Sequence, residues 1–195
     1  MGIKERPEAM SLAHRGFTEA AWRTLYSMQR KHILSAAVAA TEAVNWVCAL
    51  DEQLRKEGGG YVGRRDGDEE GRVIPGLRYA RDRSMHQVVI CTSEDARSFY
   101  RPRRGVVYIA SSFPIWAPTD SLPGSENKDP YDLKGSYENY VAEQRAHKPL
   151  FEALNFITRE LTGLVSLVTI DQPDWFQELT DEERVAVSEG PMMQL

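Results

Sequence analysis

Apolar positions recur at helical spacing along several stretches of this chain, and the strongest pattern covers 17–57. Ile33, Ala37, Ala40, Val44, Val47 and Leu54 form one stripe, and Leu25, Ala36, Ala39, Ala43, Trp46 and Leu50 form a second. Gly16 precedes the stretch and Gly58-Gly59-Gly60 follows it, with no glycine or proline between, which predicts one very long helix or two in line. A helix apolar on two sides belongs at the centre of a bundle. Its many alanines let a neighbouring helix approach closely.

The stretch 58–71 carries glycines and charges with little to bury, and reads as an exposed connection. A second helix is expected from about Arg72, with Pro75 tolerable in its first turn. It runs through His86, whereas 87–92 is rich in β-branched residues and reads equally as a strand pairing with 106–110. Between 100 and 130 the prolines Pro102, Pro114, Pro118, Pro123 and Pro130 predict loop structure around one short strand, pinned to the core by Trp116. A helix over 136–147 and another over 150–168 follow. Pro149 opens the latter, and Leu150, Leu154, Ile157, Leu161, Leu164 and Val168 form its apolar face. The expected fold is mainly α, a helical bundle with one long central helix and a short β-containing loop insertion. The bundle domain covers 17–170 with the insertion at about 93–130, and 171–195 forms an acidic C-terminal tail.

Composition narrows the class without naming a function. An apolar share of 42% and a charged share of 27% fit an ordinary globular protein and argue against disorder or a fibrous class. No run of 18 apolar residues occurs, so no membrane span is expected. Cys48 and Cys91 make neither a disulfide framework nor a metal-ligand spacing, which points to a reducing, cytoplasmic setting. The four histidines show no HExxH spacing, and GxxxxGK[ST], GxGxxG and GxSxG are absent. No metal or cofactor is expected. His32 falls among the apolar stripes and reads as packed, while His14 and His147 read as surface residues near element ends.

Charge is unevenly spread, which matters more than the net −5. From Arg72 to Arg104 eight arginines and no lysine face three acids, and from Asp171 to Glu189 seven acids face Arg184 alone. The middle can meet a polyanion and the tail cannot. Arg78, Arg83, Arg101, Arg103 and Arg104 are candidate RNA-binding residues, the last three beside Tyr100 and Tyr108, a mix that grips single strands by charge and stacking. The tail, with Trp175 and Phe176 among its acids, has the charge to cover that basic segment.

The most chemically pointed stretch is Arg81-Asp82-Arg83-Ser84-Met85-His86. A guanidinium stays charged and forks onto phosphate oxygens, and an imidazole takes and gives a proton near neutrality. On a helix Asp82 and His86 stack four apart, so Asp82 can accept from one ring nitrogen and fix the tautomer. Arg81 and His86 diverge by about 140°, so two such helices about a two-fold axis would complete one cleft. The competing structural reading makes His86 a core residue bonded to Asp82, and gives Arg81 a buried acid such as Glu42 or Asp51.

The pattern R-[ND]-x-x-x-H on a helix of a small bundle resembles the signature of the HEPN superfamily, with Arg81, Asp82 and His86 at its three defining positions. The resemblance covers mainly 17–92. It implies an all-α dimer that cleaves RNA without metal, in toxin–antitoxin or phage-defence systems, with an antitoxin or other protein as a further partner. In that reading His86 serves the attacking 2′-hydroxyl and the leaving oxygen as base or acid. Arg81 stabilises the charged phosphorane and Asp82 orients the pair. The alternatives are a noncatalytic helical protein that binds or regulates another, and an RNA-binding module without cleavage.

Overall fold

The computed structural model describes residues 6–84, 89–101, 105–122 and 132–162, with 92–113 as backbone. The long apolar stretch forms two helices, α1 (Arg6–Gln29) and α2 (Ile33–Glu57). They are folded back on one another rather than laid in line. Arg23 reaches Glu42 at 2.7 Å across the pair, and the Trp46 ring lies over Gly16. The break falls where no glycine announces it. Lys31 takes a left-handed φ of 58°, its N–H donates to the Met28 carbonyl at 3.0 Å, and the His32 N–H donates to Ser27 at 2.8 Å. Those paired bonds around a left-handed residue are a Schellman ending, a position glycine usually takes.

Gly16 is therefore no boundary. It lies inside α1, where a Cβ would come within 2.6 Å of the Trp46 ring, so the glycine admits close approach of the two helices. The same correction moves the histidines: His32 is exposed in the turn, whereas His14 and His147 are buried at 7% and 5% exposure.

The expected connection at 58–71 contains a third helix, α3 (Tyr61–Gly67), whose Tyr61 is buried. Then comes α4 (Val73–Ser84), with Pro75 in its first turn as expected. Strands β1 (Ile90–Arg101) and β2 (Gly105–Trp116) form an antiparallel ribbon in register from Ile90↔Trp116 to Arg101↔Gly105. The insertion is thus a hairpin of two twelve-residue strands in place of a loop around one short strand, and 106–110 pairs with 96–100 rather than with 87–92. The question left open at 88–92 resolves to strand from Ile90 onward, and 85–88 lies outside the described residues.

Pro114 is tolerated because its carbonyl, accepting from Ala146 at 3.0 Å, faces away from β1. Its nitrogen shares that edge, so no ladder bond is lost. Trp116 is fully buried and donates through Nε1 to the Ala146 carbonyl at 3.1 Å, which pins the base of the ribbon to the bundle.

Helix α5 (Leu133–Tyr140) starts before the predicted 136, because the Asp132 side chain accepts from the Gly135 N–H and caps it. Helix α6 (Lys148–Leu161) opens with Pro149 as predicted, and Leu150, Leu154, Ile157 and Leu161 are buried along its apolar face. Each aliphatic side chain buried in this way contributes about 1.5–3 kcal/mol.

Around α2 pack α1, α4 and α6, so the protein is mainly helical with one small sheet. By length and composition α2 is apolar enough to cross a membrane. At the centre of the bundle Ala36, Ala40, Ala43, Val44, Val47 and Leu50 are almost wholly enclosed, whereas Leu34 and Val38 near the start of α2 are exposed. Charged contacts fasten α3 and the turn after it to α6: Arg64 to Glu160 at 2.6 Å, Arg159 to Asp68 at 2.8 Å, and Arg159 to Glu70.

Candidate functional site

Helix α4 is held tightly in its first half and free to present charge in its second. Gly76 lies against α5, where a Cβ would meet Val141 at 2.7 Å and the Ser136 carbonyl at 3.0 Å. Leu77 and Ala80 are fully buried. Beyond them the last turn carries Arg81, Asp82 and Arg83.

Arg81 and Asp82 are joined side by side. Arg81 donates to Asp82 Oδ1 through Nη2 at 2.8 Å and Nε at 3.1 Å, with the two side chains 30% and 46% exposed. Of the acids suggested as buried partners for Arg81, Glu42 pairs with Arg23 and Asp51 pairs with Arg65. Arg81 instead has an accessible partner, a guanidinium oriented by its neighbour and still open to solvent. His86 lies outside the described residues, so the expected Asp82–His86 contact and the spacing of Arg81 from His86 do too.

Arg83 rests over the Tyr79 ring at 4.8 Å from its centroid. Arg101 ends β1, about 36 Å of strand from Ile90 at 3.3 Å per residue, which separates it from α4 by the length of the ribbon. Arg103 and Arg104 lie outside the described residues, as does the acidic tail.

Arg78 belongs to a cleft that the sequence pattern does not reveal. A cavity of about 360 Å³ opens between the end of α2, α3, the start of α4 and α5. Four arginines line it: Arg55, Arg65, Arg72 and Arg78, with Asp66, Asp132, Ser136 and Tyr140 among the other walls. Asp51, with a side chain only 2% exposed, anchors two of these arginines. Its Oδ1 accepts from Tyr61 Oη at 2.9 Å and Arg65 Nη1 at 2.8 Å, and its Oδ2 lies 3.9 Å from Arg78 Nη1.

Burial and then the Asp51 charge push the Tyr61 hydroxyl well above the usual phenol range, so it keeps its proton and donates. Burial works against the Arg65 charge, but Asp51 and Asp66 overcome it and hold the guanidinium above its ordinary value. Arg72 sits over the Tyr140 ring at 4.7 Å.

Of these residues only Arg78 was a sequence candidate for binding. The readable signal for the rest is Asp51 itself: an acid placed between Val47 and Leu54 on an apolar face requires a buried partner. Nothing local says that the partner is Arg65, on a helix fourteen residues later.

Other nucleophiles are poorly placed. Burial, the largest influence, pushes the Cys48 thiol up to about 12, so it remains protonated. Among the described residues no group of three His, Cys, Asp or Glu side chains could hold a metal ion. No family model matches the chain, and no curated protein or solved structure matches it.

Proposed function

We propose that this protein is a metal-independent endoribonuclease of HEPN-like type, acting through Arg81 and His86 in a toxin or phage-defence role. The observation that carries the reading is the Arg81–Asp82 pair on the last turn of α4, five and four residues before His86 in the chain. A helical bundle as the carrier of that motif supports it as well.

In this reaction His86 takes the proton of the ribose 2′-hydroxyl, whose oxygen attacks phosphorus. The P–O5′ bond breaks and the leaving oxygen takes the proton that the imidazolium then carries, giving a 2′,3′-cyclic phosphate and a 5′-hydroxyl and restoring the neutral ring. Arg81, oriented by Asp82, stabilises charge on the phosphorane. Two chains related by a two-fold axis supply both arms, and a protein antitoxin silences the site.

The test incubates RNA with wild type, Arg81→Ala and His86→Ala in the presence of a chelator. Cleavage by wild type and its loss in both variants, each still helical by circular dichroism, is the expected result. Intact RNA in all three samples overturns the enzymatic reading. RNA that is retained by all three but never cut points to the binding module instead.

A further inference from the structure

We propose that the arginine cleft between α2, α3, α4 and α5 is a binding site for the phosphate group of a nucleotide, free or within an RNA strand. The inference deepens the reading of the chain as an RNA-acting protein, and assigns to it a site one helical turn before Arg81. It rests on how Arg65, Arg72 and Arg78 are held.

Arg65 is saturated from below by Asp51 and beside it by Asp66. Arg78 and Arg72 are held differently. Among the described residues the nearest acid oxygen to Arg78 is Asp51 Oδ2 at 3.9 Å, too far for a hydrogen bond, and Arg72 has only Glu69 at 3.8 Å, itself almost fully exposed. Arg72 is positioned by the Tyr140 ring, and Arg78 by the buried charge of Asp51. Their side chains are 41% and 28% exposed. Among the described residues, two guanidiniums are thus fixed in place with no carboxylate within hydrogen-bonding distance.

Charge favours an anion there. Against the four arginines stand Asp66 and Asp132 on the walls and Asp51 beneath. Asp66 is paired with Arg65, and Asp132 accepts from the Gly135 N–H while keeping its charge, so four arginines face three carboxylates. The planar fork of arginine matches a phosphate through two parallel hydrogen bonds, which a surface lysine does not. A cavity of about 360 Å³ falls at the small end of ligand pockets, enough for a phosphate with its sugar.

The experiment measures binding of inorganic phosphate, a ribonucleoside monophosphate and a single-stranded oligodeoxynucleotide. The last lacks the 2′-hydroxyl and so resists cleavage by the proposed mechanism. Wild type is compared with Arg72→Gln, Arg78→Gln and the double variant, with Arg23→Gln as a control and melting curves to confirm folding.

The double variant is expected to lose at least tenfold in affinity, and on the oligonucleotide to lower the slope of log K against log salt by about 1.4, two contacts at about 0.7 each. Binding of the monophosphate as tightly as the oligonucleotide identifies a free nucleotide as the ligand, and tighter binding of the oligonucleotide identifies a strand. Absence of binding to all three probes, or unchanged affinity in a folded double variant, overturns the proposal. Cleavage that fails while this binding persists removes the ribonuclease reading and leaves the cleft. Cleavage that persists without it does the reverse.

Discussion

Asp51, on the inner face of α2, accepts a 2.8 Å hydrogen bond from Nη1 of Arg65, and both side chains are nearly closed to solvent. The same oxygen takes the Tyr61 hydroxyl. Removing the carboxylate leaves a buried cation without its partner, so Asp51→Ala is expected to cost about 3–5 kcal/mol. Tyr61→Phe removes one of two donors and should cost about 1–2 kcal/mol. Urea unfolding of the two variants checks the order, and an Asp51→Ala protein as stable as wild type would remove the cluster from any structural role.

Lys31 stands where the Schellman ending of α1 calls for glycine. A left-handed conformation costs a side-chain-bearing residue roughly 1–2 kcal/mol. Lys31→Gly should therefore stabilise the protein by about 1 kcal/mol after the added freedom of its unfolded chain is counted. Lys31→Val should do the opposite. A continuous helix through 30–32 would instead make the glycine variant the less stable of the two.

His147 is buried at the start of α6, and its Nδ1 has no partner among the described residues. Burial first, then the charges of Arg145 and Lys148, push it from 6.5 down to about 4. His14 moves down for the same first reason: its Nε2 lies 2.8 Å from the Thr158 hydroxyl, which itself donates to Leu154, so the ring nitrogen is the donor. Both rings hold fewer protons folded than unfolded. Stability is therefore complete above pH 6.5 and falls as the pH drops from there toward 4, His147 alone accounting for something on the order of 3 kcal/mol. Unfolding free energies from pH 7 to 4 should show that slope, and a folded His147→Asn protein should show less of it. An unchanged slope would place the proton uptake elsewhere.

Asp82 is expected to act through Arg81 in the proposed reaction. Asp82→Asn keeps an oxygen that can accept from Arg81 and should retain most of the cleavage, whereas Asp82→Ala should lose roughly 10- to 100-fold in kcat. The pH–rate profile should stay in place in both. A profile displaced by Asp82→Asn would instead tie the acid to the His86 imidazole.

The parts of this protein that can be read locally are those whose cause is local. Pro149 and the three-and-four spacing of Leu150, Leu154, Ile157 and Leu161 announce α6, and Pro75 marks the first turn of α4. The two apolar stripes of α2 place it at the centre of the bundle, where it lies. Reading fails where a residue defies its usual habit. Lys31 ends a helix as glycine does, and Gly16, which elsewhere ends helices, sits within one to admit Trp46. The twelve polar and mixed residues of β1 become strand through pairing with β2, a contact absent from any short window.

The sequence by itself determined a mainly α bundle, its central helix, and the proximity in the chain of Arg81, Asp82 and His86. It also offered Asp51 as a buried acid in need of a cation, with Arg81 as the candidate. Only the tertiary structure decided that Arg65 fills that need, that Asp82 holds Arg81, and that four arginines from α2, α3, α4 and the turn before α4 line one cleft. The physical reason is the range of the forces involved. Helical periodicity is set by neighbours three and four residues away, whereas a buried charge is satisfied by whichever cation the packed chain brings within hydrogen-bonding distance.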